Sequence, residues 1–148
     1  GIKTATPLAA LHVTGDTFFG GNVREKVTIS ATAATGTVNF DAITQSVLYY
    51  TSNASGNWTL NVRGDSSTTL NSIMATGDSL TIAFLVTQGS SAYYQATFKV
   101  DGSAVTPKYA GGSAPSAGNA SGIDGYAMTI IKTGDAAFTA LGALTEFG

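Results

Sequence analysis

From Leu80 to Val100 the chain alternates apolar and polar residues with a period of two. Leu80, Ile82, Phe84 and Val86 fall on one side of an extended backbone, with Thr81, Ala83, Leu85 and Thr87 on the other. After Gln88-Gly89-Ser90-Ser91, a second run sets Tyr94, Ala96, Phe98 and Val100 against Tyr93, Gln95, Thr97 and Lys99. Two such runs joined by a short Gly-containing loop predict a β-hairpin. Each of the large apolar groups on that face gains about 1.5–3 kcal/mol when fully buried, so the face needs a second layer to cover it.

The same pattern recurs along the chain. Val27 and Ile29, Val38 and Phe40, Val47 to Tyr50, Trp58-Leu60-Val62, Tyr126-Met128-Ile130, and Phe138 to Phe147 each predict a strand. The turns between them carry their own signals. Asn53 to Asn57 is a turn cluster, and Asp101-Gly102 is the strongest tight-turn dipeptide, expected to fold Ala104–Tyr109 back on Tyr94–Val100. Leu70, Ile73 and Met74 have helical spacing after Ser67 or Thr68 as a cap, and Thr76-Gly77-Asp78 ends that turn. Thr-Gly-Asp also occurs at 14–16 and 133–135, where Gly supplies positive φ and Asp a local side-chain bond.

The pattern predicts an all-β domain over 27–148, an antiparallel, jelly-roll-like β-sandwich of about eight to ten strands. Its expected core is Val27, Ile29, Phe40, Trp58, Leu60, Val62, Leu80, Ile82, Phe84, Val86, Phe98, Val100, Met128 and Ile130. Residues 1–26 differ. Pro7–Asp16 reads as a short strand and Phe18–Val23 as another short run, and Arg24-Glu25-Lys26 marks the boundary. Burying the seven sizeable apolar groups of this segment does not offset the cost of ordering its backbone. It must therefore pack on the sandwich or on copies of itself. A chain opening on Gly1 rather than Met is what a processed product or the tail end of a longer polypeptide would show.

Composition narrows the function classes. Charged residues make up 11% of the 148, so the polar surface must be built from Thr, Ser, Asn, Gln and Gly. The net charge is -2 with no basic run, which argues against nucleic acid as a partner. No apolar run is long enough for a membrane helix. The absence of cysteine removes disulfides, zinc fingers and thiol nucleophiles together.

Candidate chemistry is sparse. His12 is the lone histidine and no Gly-x-Ser-x-Gly elbow exists, so a Ser-His-Asp triad has little to draw on. Most acidic residues sit beside Gly in turns and explain themselves without catalysis. No D-x-D-x-D-G loop points to calcium. The expectation is no enzyme, no metal and no cofactor. Arg63-Gly64-Asp65 and the acceptor patterns at Asn53, Asn57 and Asn119 read as turns. Trp58 is in register with Leu60 and Val62 and reads as core. Binding falls instead to the 107–124 loop and its flanks. Lys108 and Tyr109 offer a charge and an aromatic face, Asn119 offers an amide, and Tyr93 lies on the polar face of its run. The Gly and Ala residues of the loop let backbone approach a ligand closely.

The runs G-N-V-R-E-K-V-T-I-S-A-T-A-A-T-G-T-V-N-F-D, V-L-Y-Y-T-S-N-A-S-G-N-W-T-L-N-V-R-G, F-L-V-T-Q-G-S-S-A-Y-Y and G-N-A-S-G-I-D-G-Y resemble a domain of virion structural proteins of tailed phages, especially those of marine cyanobacteria. The match covers most of 22–148. Residues 7–23 resemble the short leucine-x-valine-x-glycine shaft repeats of phage tail fibres. The resemblance implies a virion location and a tail fibre or similar appendage whose distal domain displays loops to a host-surface glycan. The alternative is an architectural module, such as a capsid-surface knob, a collar or a fibre connector, without a receptor. It carries over no catalytic residue. The shaft resemblance implies a homotrimer with His12 and Phe18 near neighbouring chains, and contacts with other virion proteins. The rival is a monomer whose first strand pairs with its own sheet edge.

Overall fold

A computed structural model describes residues 3–6 and 9–148. The chain is all-β, and its strands begin at Val27. They are β1 (Val27–Ala33), β2 (Gly36–Asp41), β3 (Val47–Ser52), β4 (Trp58–Arg63), β5 (Ser79–Thr87), β6 (Gln95–Val100), β7 (Ser103–Ala104), β8 (Lys108–Tyr109), β9 (Ile123–Gly134) and β10 (Ala137–Phe147). One helical turn, α1 (Leu70–Ile73), lies between β4 and β5. Two sheets face each other, one of six strands in the order β1-β3-β5-β9-β10-β8 and one of four in the order β2-β4-β6-β7.

The sheets are mixed, which corrects the antiparallel expectation. From β1 to β6 each strand crosses to the opposite sheet, and the chain winds so that every strand lies parallel to the one two places earlier. β1 pairs with β3, β3 with β5, β2 with β4 and β4 with β6, all parallel. Parallel strands need a crossover connection, and here the strand in the facing sheet supplies it. The crossing loops stack at one end. The Ser55 amide donates to the Ala34 carbonyl and the Ala54 amide to the Thr87 carbonyl, so one loop satisfies the backbone of the next. β9 and β10 then add an antiparallel hairpin beside β5.

The predicted hairpin at 80–100 is therefore an arch. β5 and β6 have the expected extents but belong to different sheets, and their apolar faces meet across the interior. Phase is also corrected inside β6. Trp58 aligns with Gln95 and Thr59 with Thr97, so Ala96 bulges. Gln95, Phe98 and Val100 point inward while Ala96 is exposed. Asp101 and Gly102 both take positive φ, as a tight turn requires, but the return along β6 ends at Val105, whose amide donates to the Phe98 carbonyl. The chain then leaves for the other sheet, where β8 lies parallel to β10.

Trp58 sits in the core, edge-to-face with Phe84 at 5.9 Å and with Tyr126 at 5.6 Å. Phe40, Leu60, Val62, Ile82, Phe84, Val86, Phe98, Val100, Met128 and Ile130 are buried as expected, and Leu80 is half-buried. Val27 and Ile29 are not core. They point away from the interior, Ile29 with 68% exposure, because the register places Thr28 beside inward Leu48 and Ser30 beside inward Tyr50. An edge strand can present polar groups inward where a partner exists, and Gln45 accepts from Thr28 Oγ1 at 2.9 Å. The helical turn is capped by Thr69, whose side chain accepts from the Ser72 amide, rather than by Ser67 or Thr68. Gly77 has the positive φ expected of it, whereas at 133–135 the left-handed residue is Ala136.

The outer face of the six-stranded sheet has two central rows, flanked by Thr81-Thr129-Leu141 on one side and Thr87-Ile123-Phe147 on the other. One runs Val27, Val47, Ala83, Ala127, Ala143 across five strands, and the next Ile29, Tyr49, Leu85, Gly125, Thr145. Before Val27, no strand forms among the described residues, and Val13 makes an isolated bridge. The strand expected at Pro7–Asp16 falls partly on residues 7 and 8, outside the description. None of residues 9–26 adds a strand to either sheet, and Phe18 is 92% exposed.

Candidate functional site

The four residues singled out for binding cluster at the end of the sandwich closed by the 107–124 loop, but three of them are half-buried. Only Lys108 is exposed. Tyr109 lies over Gly142, where a Cβ would stand 2.7 Å from its ring, and this close approach explains the glycine. Its hydroxyl accepts from Gln95 Nε2 at 2.9 Å. Tyr93 is half-buried, with its backbone amide and carbonyl both bound by the Gln88 side chain, at 3.0 and 2.5 Å. The Asn119 amide donates to both carboxylate oxygens of Asp124, each at 3.2 Å.

The loop is thus pinned from below. Asp124 is fully buried and its Oδ2 also accepts from Gln88 Nε2 at 2.9 Å. Gly118 crosses directly over this group: a Cβ there would fall within 2.5 Å of the Tyr93 carbonyl and Asp124 Oδ2. A neighbouring link runs from the Gln95 amide to the Tyr126 hydroxyl at 3.2 Å. Gln95 Oε1 is buried without a hydrogen-bond partner. Burial pushes the Tyr109 and Tyr126 hydroxyls above the ordinary phenol value, Tyr126 far above it, so both stay neutral donors and acceptors at physiological pH.

Gln88, Gln95 and Asp124 are the residues that sequence reasoning passed over, and two of them carried a signal. Gln88 continues the phase of Ile82, Phe84 and Val86, and Asp124 that of Tyr126, Met128 and Ile130. A polar residue in step with an apolar face is a buried one. Gln95 had no such signal, since a bulge put it in phase.

Several hollows flank this end. A cleft of ≈ 210 Å³ opens between β6 and the loop, lined by Phe98, Val105, Pro107, Tyr109 and Pro115 with Gln95. A shallower depression on the outer sheet face lies between Lys108, Ala127, Leu141 and Ala143.

The acidic residues elsewhere serve turns. Asp65 accepts from the Ser67 and Thr68 amides, which hold its carboxyl below the usual range, and Asp101 accepts from the Leu70 and Asn71 amides. Arg63 pairs with Asp41 at 2.6 Å from within β4, so Arg63-Gly64-Asp65 is a strand end and a turn. Among the described residues no group of three or more His, Cys, Asp or Glu side chains is placed to hold a metal ion. Among the described residues no helix is long and apolar enough to cross a membrane. No family model, curated protein or solved structure matches this chain.

Proposed function

We propose that this chain is a virion structural protein of a tailed phage, the distal domain of a tail fibre or similar appendage. It assembles with copies of itself as a homotrimer and contacts other virion proteins. Its 107–124 end is offered to a host-surface glycan, with Lys108 and the cleft beside Tyr109 as the contacting features. The observation that carries the reading is the exposed apolar segment before Val27. Leu11, Phe18, Phe19 and Val23 all stand in solvent on one chain, and groups of that size are retained at a surface where something covers them. The string resemblance to phage virion domains supports the particle assignment.

A second reading is favoured by a specific observation. The Tyr109 hydroxyl and the backbone groups of Tyr93 and Asn119 hold the loop closed, which suits an architectural module with no receptor of its own.

Titrating the labelled full chain onto cyanobacterial cells or their envelope glycans separates these. Saturable binding that Lys108→Ala weakens supports attachment. No binding leaves the architectural module. Release of soluble sugar overturns both in favour of an enzyme.

A further inference from the structure

We infer that the cleft between β6 and the 107–124 loop takes the acetamido group of a neutral 2-acetamido sugar, its N–H donating to Gln95 Oε1 and its methyl packing on the apolar walls. The inference rests on the glycan-attachment reading above and names the sugar class that this end receives.

The cleft holds an unmet demand for a hydrogen bond. Among the described residues three buried side-chain polar atoms have no partner: Ser46 Oγ, Trp58 Nε1 and Gln95 Oε1. Of these residues, Gln95 alone lines one of the hollows at this end. Gln95 is 3% exposed, and its Nε2 is committed to the Tyr109 hydroxyl. Its Oε1 is left as an acceptor to be met, and a buried acceptor left empty is unfavourable. The free space beside this residue is the cleft, so the occupant brings an N–H or an O–H.

The walls narrow the choice. Phe98, Val105, Pro107, Tyr109 and Pro115 are apolar over most of their surface, and no lining residue is charged. An ammonium or a carboxylate placed here loses its water and finds no counter-ion, which excludes free amino sugars and uronic acids. A plain sugar hydroxyl can meet Oε1, but it sets the neighbouring hydroxyls against proline and valine. An acetamido group meets both demands. In a trans amide the N–H and the methyl lie on one edge and the carbonyl on the other. The first edge enters the cleft while the carbonyl stays in water at the mouth.

The size agrees. At ≈ 210 Å³ the cleft is smaller than sites that enclose drug-sized ligands, which run to roughly 300–1,000 Å³. It holds one sugar residue, with the rest of a longer glycan outside. Its walls are also set before any ligand arrives. β6 supplies Gln95 and Phe98, and Tyr109 is fixed by its bond to Gln95 and its contact over Gly142. A site built in advance loses little freedom on binding.

Amide NMR of the isotope-labelled full chain, titrated with N-acetylglucosamine, glucosamine, glucose and envelope glycans, tests the assignment. We expect N-acetylglucosamine to shift the Gln95 side-chain amide and the backbone amides of Val105 and Tyr109. It should bind at least about tenfold more tightly than the other two monosaccharides, the factor that one well-made hydrogen bond supplies. Ala114 is exposed and lines the cleft, so Ala114→Trp should fill it and abolish those shifts at an unchanged melting temperature. Gln95→Leu should erase the preference among the three sugars; should it fail to fold, Ala114→Trp decides alone. Equal affinity for the three sugars, no shift, or shifts that survive Ala114→Trp overturn this assignment, and saturable binding of envelope glycans then leaves the attachment reading standing. N-acetylglucosamine in the cleft without envelope-glycan binding keeps the site and overturns the attachment reading. No binding of any sugar or glycan overturns both.

Discussion

The two ends of β9 each bury an ionisable group between the sheets, and they handle it differently. At the start of the strand, Asp124 lies fully buried and collects donors from two segments: the side chain of Gln88 at the end of β5 and the backbone amide of Asn119 in the loop. At the far end, Lys132 donates from Nζ to the carbonyls of Asn71 at 2.6 Å and Met74 at 2.9 Å. Neither has a counter-ion among these contacts. Each charge is met by backbone or amide dipoles of the right sense, an alternative to pairing that satisfies a buried ion. The Lys132 end uses the carbonyls that a one-turn helix leaves unpaired. The Asp124 end has no helix and takes its donors from the Gln88 side chain and from the backbone of the adjoining loop.

That difference makes the Asp124 end the more fragile. Replacing Asp124 with Ala leaves one of the two Gln88 Nε2 hydrogens and the half-buried Asn119 N–H without an acceptor. We expect a loss of about 2–5 kcal/mol, at about 1–3 for each stranded donor. Urea unfolding should show it, and hydrogen exchange at Asn119 should rise far more than exchange at Leu70 to Met74. An equal rise at both ends would erase the contrast.

Lys132→Met keeps the apolar stem and removes only the ammonium. Asn71 is half-buried, so water can reach the carbonyl that Lys132 abandons there, and only the buried Met74 carbonyl is left without a donor. We expect about 1–2 kcal/mol by the same measurement. A loss matching that of Asp124→Ala would show that the helical turn is held as tightly as the loop.

The smallest effect appears only in alkali and should be confined to the Asp124 end. Burial raises the folded-state pKa of Tyr109 and Tyr126 above the ordinary value of 10.0. Their contribution is therefore complete below pH 10 and is lost as pH rises beyond it, because unfolded phenols ionise while the folded ones hold their protons. For the buried Tyr126 the slope is about 1.4 kcal/mol per pH unit. The urea midpoint should stay flat to pH 9 and fall by pH 11, and Tyr109→Phe should shallow the fall. A midpoint that does not move between those values would contradict the burial of both hydroxyls.

Much of this was legible in the residues. Strand positions followed from alternation at Trp58-Leu60-Val62 and Tyr126-Met128-Ile130, where one face is apolar and the other is not. Lys132 and Asp124 were legible too, since each stands in phase with those apolar residues at a strand end. The exceptions have local causes. Ile29 alternates cleanly with its neighbours, but in β1 the apolar side faces out, and alternation assigns sides without saying which is inside. Gln95 entered the core through a bulge at Ala96, which shifts phase by one residue and leaves no mark in composition. Tyr109 read as a binding residue because it opens a loop of small residues. Its ring instead fills the space over Gly142, a contact between residues 33 positions apart.

Residue order by itself determined that this chain is all-β, where most of its strands lie and which residues of most of them share a side. These depend on the two-residue repeat of an extended backbone, a property of each segment alone. Only the tertiary structure decided which strand lies beside which. A hairpin and an arch bury the same alternating face: in a hairpin the two runs lie side by side, in an arch they face each other across the core. The choice at 80–100 was made by contacts the pattern does not encode. The Gln88 side chain takes both backbone groups of Tyr93, while β5 finds its ladder with β3 and β9, and β6 finds its own with β4 and β7.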